Sequence, residues 1–340
     1  MSISRKQFLK ASALSPLAFT GLAKNISTRE SVSIHQLLKP KALTWNSTLG
    51  LIAPASPVYD PADFDEMLIT LQKLGFNLVL GVHVRDRNGY LAGTDQNRAN
   101  DLMAMFENDS IDAILCVRGG WGCNRILDLL DYDLIKKNPK PLIGFSDITS
   151  LHNALLSKSG LVSFHGPVGT SDWNDFTKES FQSILIDKKK GVYDLPDTED
   201  DAFVINSGTA EGQIVGGNLS VLVAMIGSDY LPTFNDSILF LEDVGESVYR
   251  IDRMITQLKL SGILDKVSGI IFGKCTKCDA GSNSLSLQQV FIDHIKPLNI
   301  PAFYGGMISH EKLNVTIPVG LRARMNADDC SFRILEEAVS

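Results

Sequence analysis

The chain has 340 residues, 44% hydrophobic and 21% charged, a composition that buries a sizeable core and excludes disorder as the dominant state. Its formal charge of −7 excludes the concentrated cationic surface that phosphate backbones require. A small or peptidic substrate is expected, and a nucleic-acid partner is not.

Residues 1–23 read as an export signal. Arg5-Lys6-Gln7-Phe8-Leu9-Lys10 is the basic part, Ala11 to Leu22 the apolar part, and Gly21-Leu22-Ala23 the small-residue cleavage pattern. The basic part is similar to a twin-arginine signal, with Lys6 where the second arginine would stand. The competing reading is an amphipathic N-terminal helix. An exported, periplasmic location is expected, or a cytoplasmic one if the leader is not used. No later stretch is apolar enough to span a bilayer. A polar tail occupies residues 24–44.

From residue 45 to 170, short apolar runs alternate with helical patterns, the mark of βαβ units and a parallel, flavodoxin-like α/β domain. Strands are predicted at Leu49 to Pro54, Asn77 to Gly81, Ile111 to Val117, Pro141 to Phe145 and Leu161 to Phe164. Helices are predicted at Ala62 to Leu74, Asp95 to Asn108, Asn124 to Asp131 and Asp147 to Leu156. Residues 171–210 turn polar and broken, and read as an interdomain connection.

A smaller, mixed α/β C-terminal domain is expected over residues 211–335. Its predicted strands are Gln213 to Val215, Ser237 to Leu241, Ser268 to Phe272 and Asn314 to Pro318. Its predicted helices are Asn218 to Ile226, with Asn218 as N-cap, Tyr249 to Leu258 and Leu287 to Ile295. Cys275-Thr-Lys-Cys278 has the spacing of a redox pair or half a metal site, but all five cysteines read most simply as packing residues.

Gly144-Phe145-Ser146-Asp147 passes from strand through a tight turn into a helix, so Ser146 falls at the carboxyl end of a parallel strand, where such sheets bind ligands. A serine on such an elbow projects its hydroxyl from a rigid support, with helix-start amides facing a developing oxyanion. The same pattern also suits a plain N-cap serine, and Ile148 stands where the hydrolase elbow has glycine. Arg118-Gly119-Gly120-Trp121-Gly122 follows another strand directly and frees backbone amides at the same edge. It lacks the phosphate-loop spacings, which makes Gly120 the favoured oxyanion donor. A base is sought among six histidines. His310 sits in a Gly-rich loop, and Glu242, Asp243 and Glu246 compete as its orienting acid.

Taken together, several ordered segments resemble the serine-type L,D-carboxypeptidases that trim peptidoglycan peptides and the related microcin-immunity peptidases. They are Leu51-Ile-Ala-Pro-Ala-Ser56, Arg118-Gly-Gly-Trp-Gly122, Gly144-Phe-Ser-Asp-Ile-Thr149, His165-Gly-Pro167, Gly216-Gly-Asn-Leu219, Leu241-Glu-Asp-Val-Gly-Glu246 with Tyr249-Arg-Ile-Asp-Arg253, and His310 with Thr316-Ile-Pro-Val-Gly320. The resemblance runs from about Gly50 to Gly320. It implies Ser146 as nucleophile, Glu242 and His310 as its partners from the second domain, and the backbone amides of Gly120 and Asp147 as oxyanion donors. It also implies a murein tetrapeptide substrate losing D-alanine, a homodimer, and no metal or cofactor. Arg250, Asp252 and Arg253 are read as structural pairs, and His165 as packed or hydrogen-bonded near the sheet edge.

Overall fold

Five short runs make the parallel part of the first sheet: β1 (Thr48–Ile52), β2 (Asn77–Leu80), β3 (Ala113–Cys116), β4 (Leu142–Gly144) and β5 (Ser163–His165), of which β2 is the partly exposed edge strand. The computed structural model describes residues 37–196 and 201–340, so the export signal and most of the polar tail lie outside the described residues. The order β2-β1-β3-β4-β5 is the flavodoxin-like one, with its switch point between β1 and β3. β3 is buried throughout, which is why it reads as a continuous apolar run instead of an alternating one.

The intervening helices start as their sequences dictate. In Pro61–Lys73 the Asp60 side chain caps the Ala62 amide, Pro61 takes the first turn, and Phe64, Met67 and Leu71 form the buried stripe. Two predicted helices differ. Asn124 to Asp131 is a 3-10 segment, Cys123–Leu129, entered through left-handed Gly122 at φ 114°. The helix expected from Asp147 splits into a 3-10 turn, Ser146–Ile148, and an α-helix, Thr149–Ser159.

The second sheet contains β6 (Val192–Tyr193), β7 (Phe203–Asn206), β8 (Thr209–Asn218), β9 (Ser237–Val244), β10 (Gly269–Thr276) and β11 (Ala302–Gly306). After β12 (Ile317–Val319) the chain adds β13 (Arg322–Asn326) and β14 (Ser331–Ile334) to that sheet. Among the described residues its order is β6-β14-β13-β8-β9-β10-β11-β7, so parallel β8 to β11 are flanked by antiparallel strands. Residues 171–210 are more structured than a connection. They hold the helix Asp175–Leu185, whose Phe181, Ile184 and Leu185 are buried, and strands β6 and β7.

The strand predicted at Asn314 to Pro318 is shorter and joins the other sheet: β12 pairs antiparallel with β5 at the edge of the first sheet. Pro318, which lacks an amide donor, is tolerated at such an edge. Gly305 and Gly306, read as loop, end β11. Cys116 and Cys123 are core residues, but Cys275 and Cys278 are joined in a disulfide, which corrects their reading as packing residues.

Candidate active site

β4 ends at Gly144, where a Cβ would come within 3.0 Å of Ile148 and 3.2 Å of Cys116. The turn that follows puts Ser146 at φ 64°, a left-handed conformation that costs a non-glycine residue about 1–3 kcal/mol and is retained mainly where function needs it. Buried His152 fixes the strand end. Its Nε2 donates to the Gly144 carbonyl at 2.8 Å, and its Nδ1 accepts from the Ser163 hydroxyl at 2.9 Å. Burial pushes its pKa down to about 4, so it stays neutral.

The glycine loop after β3 lies against this elbow. A Cβ on Gly119 would be 2.8 Å from Ser146 Cβ and 3.0 Å from its Oγ, and one on Gly120, at φ 119°, would be 2.5 Å from Ser56 Cβ. The Ser56 hydroxyl accepts the Trp121 amide at 3.1 Å. Beneath the loop, buried Arg98 donates to the carbonyls of Pro54 and Gly122 and pairs with Asp95. Arg98 thereby ties the loop after β1 to the loop after β3. The Asp147 carboxylate accepts the Cys123 amide at 2.8 Å, which ties the elbow to the segment after the glycine loop.

The acid and the base meet. Glu242, fully buried near the carboxyl end of β9, accepts from His310 Nδ1 at 2.8 Å. Asn218, paired with Glu242 across the sheet, donates Nδ2 to Glu242 Oε1 and to Asp243 Oδ1, each at 3.2 Å. Asp243 also accepts the amides of Ser220 and Val244, and burial together with the Glu242 charge pushes its pKa up to about 7. Burial works against the His310 cation, but the charge and hydrogen bond of Glu242, with Asp243 and Glu311, outweigh it and hold His310 above the usual histidine range. Glu246 turns away to Arg250 at 3.6 Å.

The His310 ring packs on Phe145, the residue before Ser146, with centroids 4.8 Å apart. Elbow, glycine loop and imidazole therefore lie together at the carboxyl end of β4. No hydrogen bond joins the Ser146 hydroxyl to His310, whose Nδ1 is held by Glu242. His165 is buried, packed against Phe145 and Phe240. Asp252 pairs with His294 at 2.8 Å, and Arg253 lies over the Tyr249 ring. The sequence gives no sign of Arg98 or His152, because a buried polar residue inside a helical pattern looks like a solvated one. Asn218 stands there as a helix cap and within a segment of the family resemblance, and the cap role it fills by accepting the Val221 amide.

Two family models match the chain: LD-carboxypeptidase N-terminal domain over residues 49–166 and LD-carboxypeptidase C-terminal domain over 211–325. The Bacillus subtilis (strain 168) protein named "Probable murein peptide carboxypeptidase" is 39% identical, over 89% of this chain and 95% of its own length. The murein tetrapeptide carboxypeptidase of Pseudomonas aeruginosa is 33% identical, over 82% of this chain and 94% of its own. The microcin C7 self-immunity protein MccF of Escherichia coli is 32% identical, over 91% and 98%. A solved structure of MccF with glutamyl sulfamoyl guanosine superposes with a TM-score of 0.83 at 30% identity, covering 89% of this chain and 100% of that one.

Proposed function

The chain belongs to the LD-carboxypeptidase family, a family of serine peptidases, and from that premise we propose that it hydrolyses the L,D amide bond holding the C-terminal D-alanine of peptidoglycan tetrapeptides. The observation that carries this reading is the strained backbone of Ser146, next to Phe145 on which packs an imidazole bonded to buried Glu242.

His310 Nε2 takes the Ser146 proton as Oγ attacks the carbonyl carbon, while Glu242 holds Nδ1 and supports the imidazolium. The amides of Gly120 and Asp147 receive the oxyanion. The tetrahedral adduct expels D-alanine, whose amine takes the proton from His310, and an acyl-enzyme remains. Water, deprotonated by His310, then attacks the ester and releases the shortened peptide and free Ser146. The reaction includes no step that needs a metal or a cofactor.

The likeness to MccF favours a second reading, in which the scissile amide belongs to an aminoacyl-nucleotide. The leader read in residues 1–23 counts against it, since it directs the chain to the periplasm, where the murein substrate lies. Export and a homodimeric state belong to the reading. A non-catalytic peptide binder of the envelope is the remaining rival, and a fluorophosphonate probe separates it, because only an activated serine is labelled.

The test is incubation with defined muropeptides and a sulfamoyl aminoacyl-nucleotide, with products weighed by mass spectrometry. Loss of one D-alanine from the tetrapeptide is expected, and Ser146→Ala is expected to lower kcat by about 10⁴. Turnover of that variant near the wild-type rate removes Ser146 from the mechanism.

A further inference from the structure

We propose that the guanidinium of Arg118 is the anchor for the free carboxylate of the substrate's terminal residue. This rests on the reading that Ser146 opens the terminal amide bond, and it names the subsite that makes the cleft select a chain end. An enzyme removing one residue must recognise an anion close to its nucleophile. Between the scissile carbonyl and the terminal carboxylate carbon lie only a nitrogen and a Cα, a span of about 4 Å from standard bond lengths.

Arg118 immediately precedes Gly119, the residue packed against the Ser146 side chain. It is half-buried. Its Nη1 donates to the Pro57 carbonyl at 3.2 Å, and its guanidinium lies 5.5 Å from the centre of the Tyr59 ring. Carbonyl and ring fix the orientation of the fork while leaving most of its donors open. Among the described residues no carboxylate lies within ion-pair distance of it.

Several other cations differ in this respect. Arg98 is neutralised by Asp95, Lys274 pairs with Asp201 at 2.8 Å, and Arg250 pairs with Glu246. Arg87 shares the Tyr59 ring, but it is exposed and bonded to the carbonyls of Val58 and Tyr59. A half-buried guanidinium without a counter-ion, on the residue next to the glycine that packs against the nucleophile, is the arrangement that a planar carboxylate completes through two parallel hydrogen bonds.

The experiment compares the full chain on two tetrapeptides that differ only in ending in D-alanine or D-alaninamide. The wild type is expected to prefer the acid by roughly 10- to 100-fold in kcat/KM, the worth of a charged hydrogen bond. R118Q collapses that ratio to near unity by lowering the acid's kcat/KM, and R118K, which restores the charge without the fork, recovers part of it. A ratio that survives in R118Q, including equal losses on both peptides, overturns the proposal. A wild type that hydrolyses neither peptide sinks the function reading and the anchor with it, and is thereby distinguishable from failure of the anchor alone.

Discussion

His310 is pulled in two directions: burial opposes its positive form, while Glu242 at 2.8 Å, Asp243 and Glu311 favour it, and the net displacement is upward. A raised pKa keeps the imidazolium to higher pH, so the neutral base that the serine needs is present only above that value. The acid limb of kcat/KM is therefore expected above the ordinary histidine value of about 6.5. Glu242→Gln removes the principal raising cause and leaves burial, so the limb should move down in pH while kcat falls by about 10³ to 10⁴. Rates measured across the neutral range check this, and a wild-type limb below the ordinary value contradicts it. At this scale the residues alone showed an acid near the end of β9 but not which one, and only the family resemblance pointed to Glu242. Neighbours on a strand face opposite ways. Which face is the cleft depends on the pairing of Asn218 with Glu242, which no local pattern encodes.

The glycine loop after β3 shows how tightly elements constrain the site. A Cβ on Gly120 meets Ser56, and the φ of 119° disfavours any side chain, so Gly120→Ala must displace the loop. Moving this proposed oxyanion donor is expected to lower kcat by about 10² to 10³, with a smaller change in KM. Removing the opposing side chain as well, in a Gly120→Ala, Ser56→Gly pair, should recover part of the loss, and a double-mutant cycle on kcat reads the coupling. Strictly additive losses would show that the two residues do not touch in function. β1, β3, β4 and β5 were legible because strands buried on both faces read as apolar runs bounded by turns, and β2 because its apolar Leu78-Val79-Leu80 run follows the helix stop at Gly75. β6, β7, β13 and β14 were not, since these short strands on the flanks of the second sheet expose alternate residues and resemble loops. The same holds for Gly305 and Gly306, whose composition hides the end of β11.

At the scale of the molecule, the parts that must meet belong to different sheets, and specific contacts set their spacing. The Asn218 amide donates to Thr149 Oγ1 at 2.9 Å, and Asn153 donates to the Gly216 carbonyl at 3.0 Å. Thr149 and Asn153 lie on the helix that begins three residues after Ser146, while Asn218 holds Glu242. β12 closes the link by carrying the chain from the His310 loop back to the first sheet. None of this was readable locally, because Thr149 and Asn218 are separated by 69 positions. Gly217 sits at the joint with φ 131°, and a Cβ there would lie 2.7 Å from Thr149 Cγ2. Gly217→Ala must therefore part the helix from β8, or strain both. Overpacking of this kind destabilises by about 1–3 kcal/mol, visible as a lowered Tm. The larger effect should be catalytic, since a displacement of about 1 Å between serine and imidazole costs on the order of a hundredfold in rate. The decisive measurement is kcat well below the variant's Tm, where the population is folded. A kcat near wild type there, with only Tm reduced, would mean that the spacing of the two sheets is set elsewhere.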